Sequence, residues 1–221
     1  MVQRLVEKTR PAVQLEADAR TKGERTRERI LDVAYDAIVQ KGFAATSIEE
    51  LVEAAGITKG GFFYHFKDKN DLARQLLERY LAETETMMEG LASRARELSE
   101  DPLHSFLIFL KLYAEVMSDM MQVYPGCLVS AVTYQDTSFD AEVRRINSEG
   151  VLAWRHRFQR WLEEIVERYE PRAPVNIVDL ADQMSVMADG SIIMAKALRD
   201  PGLMARQAAL HRDMIRLLFV A

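Results

Sequence analysis

The sequence predicts an all-α protein of about nine helices, and two features of its patterning carry that expectation. Apolar residues recur at i, i+3 and i+4 along most of the chain, and alternating runs bounded by turn residues are absent. Helix-start signals also recur. Ser47 stands three residues before Glu50, and Asp101-Pro102 and Asp200-Pro201 each pair a capping carboxylate with a proline whose missing N–H costs nothing in a first turn.

In chain order, residues 1–20 read as a flexible arm broken at Pro11 and followed by Thr21-Lys22-Gly23. A first helix is expected from about Glu24 to Gln40, burying Ile30, Leu31, Ala34, Ala37 and Ile38, with Gly42 supplying the left-handed residue that ends it. The Ser47/Glu50 pair reads as a capping box for a second helix with Ile48, Leu51, Val52 and Ala55 on its apolar face, stopped at Gly56. Thr58 caps a third short helix reaching Phe66, and Asp68 a long fourth from about Lys69 to Ala92. Asp101-Pro102 starts a helix carrying Phe106, Leu110, Tyr113, Ala114 and Met117, and Pro125-Gly126 opens a shorter one through Tyr134. Ser138 to about Tyr169 reads as another long helix, closed by Pro171 and Pro174. Asn176 caps a helix ending near Leu198, and Asp200-Pro201 begins the last, to Phe219.

Composition narrows the function. Apolar residues make up 48% and charged residues 29% of the 221, a globular balance that excludes wholesale disorder. One cysteine forms neither an internal disulfide nor a cysteine-based zinc site, which fits a reducing compartment and a cytoplasmic protein. No apolar run approaches the ~20 residues that cross a bilayer, and the N-terminus lacks the apolar stretch of a secretory signal, so no membrane association is expected. His104, His156 and His211 stand singly, and no metal-ligand spacing, nucleophile elbow or phosphate loop occurs. No metal, no cofactor and no catalytic residue is therefore expected. Charge is unevenly spread: residues 1–70 hold 12 Lys/Arg against 11 Asp/Glu, and residues 71–221 hold 17 against 23. Only the first third can approach a polyanion without strong repulsion.

Residues 44–69 carry the functional signal. The second helix ends at Gly56, Ile57 plugs a corner and Thr58 starts the third helix, a turn of the length that joins the two helices of a helix-turn-helix. The third helix, Lys59-Gly60-Gly61-Phe62-Phe63-Tyr64-His65-Phe66, is poor by propensity, since each glycine costs about 1 kcal/mol relative to alanine. Paired glycines make sense where the backbone must come close to another surface, such as a sugar–phosphate chain. Tyr64 and His65 can hydrogen-bond phosphates, Phe62 and Phe66 read as core anchors, and Thr46 and Ser47 put hydroxyls and free N–H groups at a helix N-terminus.

The stretch Ala44 to Leu72, with Thr46-Ser47-Ile48, then Ala55-Gly56-Ile57-Thr58-Lys59-Gly60, then Phe63-Tyr64-His65-Phe66 and Lys67-Asp68-Lys69, resembles the DNA-binding domain of the tetracycline-repressor (TetR/AcrR) family. The resemblance covers roughly residues 24–72; members often carry Thr or Ser where Gly61 stands, so one side-chain base contact is missing here. It implies a helix-turn-helix domain over 21–70, a larger helical ligand-binding and dimerisation domain over 71–221, a double-stranded DNA operator and a small-molecule effector. Carried over position by position, DNA contacts fall to Thr46, Ser47, Thr58, Lys59, Gly61, Phe63, Tyr64, His65 and Lys69.

The second domain is matched only in architecture. Its aromatic and methionine-rich helices suggest an effector pocket walled by Tyr113, Met117, Cys127, Tyr134, Trp154, Phe158 and Met187. The last two helices, about 176–198 and 201–219, carry apolar stripes with nothing after them to cover them, and favour a twofold homodimer interface. The expected function is a homodimeric repressor released from its operator by a small molecule. Two alternatives stand beside it: a helical DNA-binding protein of the same shape that recruits a protein partner, and an all-helical enzyme or carrier indifferent to changes at Tyr64 and His65.

Overall fold

The computed structural model describes residues 21–120 and 126–220. Among them are nine α-helices, one 3₁₀ turn and no strand: α1 (Lys22–Lys41), α2 (Ile48–Ala54), α3 (Lys59–His65), α4 (Lys69–Leu98), α5 (Pro102–Met120), α6 (Leu128–Tyr134), the turn Asp136–Ser138, α7 (Ala141–Val166), α8 (Ile177–Leu198) and α9 (Leu203–Phe219). The all-helical class and the helix count follow the sequence reading. The arm expected over 1–20 lies outside the described residues.

Several boundaries differ from expectation for local reasons. Thr21 and Glu24 form a reciprocal capping box, the Thr21 hydroxyl accepting from Glu24 N–H at 3.2 Å and the Glu24 carboxylate from Thr21 N–H at 2.6 Å. α1 therefore starts at Lys22, two residues before the expected Glu24, and accommodates Gly23 in its first turn. Ser47 does accept from Glu50 N–H at 3.2 Å, but the Glu50 carboxylate binds Lys41 instead of completing the box. α4 runs on past Ala92 to Leu98 because Ala92 and Ala95 continue its buried stripe. α7 starts at Ala141, not Ser138: Asp140 caps it, accepting from Val143 N–H at 2.9 Å, while Phe139 stays extended. α9 starts at Leu203 because the Asp200 carboxylate accepts from Gly202 N–H at 3.1 Å and pairs with Arg206, which turns Asp200-Pro201 into a bend ahead of the helix.

The chain divides into two compact units, one of Met1–Thr84 with Pro125–Ser148 and the other of Glu85–Tyr124 with Glu149–Ala221. The division between the units falls inside α4, at Thr84/Glu85, and the segment through Ser148 groups with the N-terminal helices.

In the first unit, Ile30, Leu31, Ala34 and Ile38 of α1 are buried as expected, together with Tyr35, while Ala37 is only half-buried. Leu51, Phe62, Phe66, Leu72 and Leu76 complete this core from α2, α3, the next corner and α4. A polar seam runs along α1 and α4. Arg79 bridges Glu28 at 2.8 Å and Asp32 at 2.9 Å, and Arg27 donates to Gln75 at 2.7 Å.

The second unit is centred on an aromatic cluster. Phe106 and Phe109 of α5 lie with ring centroids 5.1 and 5.3 Å from Trp161 of α7, whose indole N–H donates to the Pro102 carbonyl at 3.1 Å. Arg96 stacks over the same indole at 4.5 Å. α9 packs on α5 and α8, burying Met204, Ala208, Ile215 and Phe219.

Candidate nucleic-acid interface

The α2–α3 corner is built by its backbone. Ile57 N–H reaches back to the Val52 carbonyl at 3.1 Å and Gly56 N–H to Glu53 at 3.0 Å, the paired bonds that end a helix on a left-handed residue. Gly56 takes φ 60, which explains a glycine there. Thr58 then caps α3, its hydroxyl accepting from Gly61 N–H at 3.1 Å.

α3 has two unlike faces. Phe62 and Phe66 are fully buried with ring centroids 5.5 Å apart, the core anchors expected. On the other side Tyr64 is 82% exposed and Phe63 47% exposed. Phe63 rests edge-on against Phe62 at 5.4 Å, and the Tyr64 ring stands edge-on to His65 at 4.9 Å. A Cβ on Gly60 would meet only Thr58 Oγ1 at 3.9 Å, and one on Gly61 only Thr58 Oγ1 at 3.5 Å and Ile57 Cβ at 3.7 Å. Nothing within the described chain demands either glycine, so an α3 that gives up about 1 kcal/mol per glycine leaves its backbone bare toward the outside.

Ser47, Thr58, Lys59, Gly61, Phe63, Tyr64 and His65 are exposed or half-buried around this corner. Lys59 pairs with Glu49 at 2.7 Å, and that bond holds the Glu49 carboxyl below its usual range. Burial, with help from the charge on Arg27, pushes the His65 imidazole below its ordinary pKa, so at neutral pH it acts as a neutral hydrogen-bonding ring.

Two of the expected DNA contacts are placed otherwise. Thr46 is 1% exposed and its hydroxyl donates to the Gly42 carbonyl at 2.9 Å, so the side chain fixes the loop before α2 and is withheld from the surface. The Lys69 ammonium donates to the Phe43 carbonyl and lies 4.2 Å over the Phe43 ring, with its pKa lowered by burial and by Lys41. It is a clasp within the unit. Gln135, which the sequence did not single out, also reaches this loop, its Oε1 lying 3.4 Å from Ala44 N–H.

The residues expected around an effector are dispersed. Tyr113, Met117 and Phe158 are buried in the second unit, where Trp154 and Met187 are half-buried. Cys127 is buried in the first unit with the Tyr80 hydroxyl 3.6 Å from its sulfur. Tyr134 is 75% exposed, which removes it from any enclosed wall. Met187 opens instead on a groove of about 360 Å³ between α8 and α9, shared with Val186, Met194, Leu210 and Met214. Among the described residues no cluster of three or more His, Cys, Asp or Glu could hold a metal ion, and no helix is long and apolar enough to cross a membrane.

A short capped helix that follows a glycine corner, anchored by two phenylalanines and presenting its opposite face outward, defines a helix-turn-helix DNA-binding protein. Residues 30–76 match the family of bacterial regulatory proteins, tetR family. The chain is 46% identical over 55 residues to the HTH-type transcriptional regulator AcrR of Shigella flexneri, covering 25% of this chain and 26% of that one. It is 28% identical over 178 residues to a probable HTH-type transcriptional regulator, ArpR, of Pseudomonas putida, covering 78% and 82% of the two chains. With the HTH-type transcriptional regulator TtgR, also of Pseudomonas putida, it shares 32% identity over 130 residues, 58% of this chain and 51% of that one. The fold is that of a TetR-family regulator structure from Agrobacterium tumefaciens, with a TM-score of 0.74 at 18% identity over 90% of this chain and 100% of that one. A second, from Chloroflexus aurantiacus, superposes with a TM-score of 0.72 at 20% identity over 90% and 98%. Residues 30–76 thus carry the helix-turn-helix of the tetR family, and the chain as a whole resembles TetR-family transcriptional regulators in sequence and fold.

Proposed function

We propose that the protein is a homodimeric repressor, acting in the cytoplasm and not as an enzyme, that a small molecule releases from its operator. The observation that carries the DNA-contact assignment is the outward face of α3, where Tyr64 and Phe63 stand exposed beside two glycines that intramolecular packing does not require. Ser47, Thr58, Lys59, Gly61 and His65 surround that face. In this reading the α2 N-terminus takes a phosphate, and Phe63 and Tyr64 meet sugar and thymine methyl groups.

Dimerisation is assigned to α8 and α9. Val186, Leu198, Leu210, Met214 and Leu217 are each more than half exposed on these helices, apolar side chains that a second copy can cover. A second copy laid on the same face would cover it and put two α3 helices on a near-palindrome, with half-sites spaced by roughly 34–36 Å or a multiple. The effector is assigned to the second unit, near Tyr113, Met117 and Phe158. It weakens DNA binding only by its preference for the DNA-incompetent state. α4, which begins at Lys69 beside the head and ends at Leu98 in the second unit, is the covalent path between them.

Selection of bound duplexes from random double-stranded DNA by the full-length chain tests this directly. The expected product is an inverted repeat bound by a dimer in sedimentation velocity. A single unrepeated site bound by a monomer would contradict the homodimer, and failure to enrich any sequence would contradict operator binding.

A further inference from the structure

The loop between α1 and α2 sets where the DNA-binding corner begins. Gly42 takes φ 91 after donating to the Ile38 carbonyl at 2.8 Å, Thr46 bonds back to Gly42 and Phe43, and Ser47 immediately afterwards caps α2. This loop is also gripped from a segment some ninety residues away. The Gln135 amide lies against Gly42, where a Cβ would stand 2.3 Å from its Nε2, 2.8 Å from its Oε1 and 2.9 Å from its Cδ, so a side chain there would both strain the backbone at φ 91 and displace the amide. The Phe139 ring packs on Phe43 with centroids 4.2 Å apart, while Lys69 holds the same residue's carbonyl. Asp140 N–H lies 3.4 Å from Asn70 Oδ1 at the start of α4, and Arg144 fixes the turn by donating to the Phe139 carbonyl at 2.6 Å. At the other end of α6 the Tyr35 hydroxyl donates to the Gly126 carbonyl at 2.9 Å.

Resting on the DNA-binding reading above, we propose that Gln135 and Phe139 are positioning residues for operator binding, which set the α2 N-terminus and the α2–α3 corner through the Gly42–Ala44 loop without touching DNA. The division of the chain agrees, since the segment through Ser148 belongs to the compact unit of the helix-turn-helix. The head that binds DNA thus includes α6, the following turn and the first turns of α7. Because the contact is made by side chains on a loop of positive φ, a small displacement of Gln135 or Phe139 moves Ser47 and the N–H groups behind it.

The experiment is a double-mutant cycle in the full-length chain, read as affinity for the selected operator across a salt series. Gln135→Ala is expected to weaken binding about 5-fold, with the slope of log affinity against log salt unchanged because no phosphate contact is lost. Gly42→Ala is expected to weaken binding further in the wild-type background than in Gln135→Ala, since the clash disappears with the amide. Phe139→Leu, which stays apolar but is smaller and loses the ring contact, is expected to weaken binding at a temperature where circular dichroism shows full native helicity. Wild-type affinity in both Gln135→Ala and Phe139→Leu, or losses at Gly42 and Gln135 that simply multiply, would overturn the brace while leaving the DNA-binding reading intact. A wild-type chain that enriches no duplex would overturn both.

Discussion

The Lys69 ammonium is seated on Phe43, donating to its carbonyl and lying 4.2 Å above its ring. A lysine at the first position of a helix beside a DNA-binding corner invites a phosphate as its partner. Here the partner is internal, and the lysine joins the start of α4 to the loop before α2. Its energetic meaning is therefore structural. Lys69→Ala is expected to lower unfolding stability by about 2 kcal/mol, from a lost charge-assisted hydrogen bond and a lost cation–π contact, the Phe43 carbonyl keeping its bond from Thr46 N–H, and to leave the salt slope of operator binding unchanged. Urea titration with binding isotherms at several salt concentrations checks both. A slope reduced by about one would return Lys69 to the DNA interface.

The glycines of α3 make a second expectation with two signs. Gly60 is helical, and an added methyl would find its nearest neighbour at 3.9 Å. Gly60→Ala is thus expected to raise stability by about 0.5–1 kcal/mol. In the proposed reading the same methyl stands where the backbone approaches DNA, so operator affinity is expected to fall. Thermal melting and operator binding on one sample decide the matter, and a variant that gains both stability and affinity would show that the bare backbone has no part in recognition.

A pH dependence follows from His211. The residue is 5% exposed on α9, its Nε2 has no hydrogen-bond partner among the described residues, and burial lowers its pKa below 6.5. The unfolded chain then binds the proton that the folded one resists, so this residue destabilises the fold as pH drops below about 6.5 and has no such effect above it. His211→Leu is expected to lessen the loss of stability between pH 7.5 and 5.5. Urea midpoints of both proteins at the two pH values test this; parallel losses would show that His211 does not titrate with folding.

The elements that could be read from the sequence are those whose signals are local. Ser47, Thr58, Asp68 and Asn176 each cap a helix with a partner two or three residues on, and the Phe62/Phe66 pair lies one turn apart. Thr21 carries the same kind of signal, but the glycine at position 23 masked it. What stayed hidden depends on chain segments far apart. Lys69 and Phe43 are 26 residues apart, Gln135 and Ala44 91. The start of α7 shifted because Phe139 is held extended against Phe43, a contact absent from any local window. Tyr134, apolar in pattern, faces outward because Leu128, Val129 and Val132 fill the buried side of a helix only seven residues long.

The most direct measurement is the affinity of Tyr64→Ala for the selected operator. Tyr64 is 82% exposed, so its removal is expected to change stability by less than about 0.5 kcal/mol. Operator affinity is expected to fall about 10-fold or more, while binding to unrelated duplex changes far less. Unaltered operator affinity, with native helicity retained, would contradict the assignment of this face of α3 to DNA.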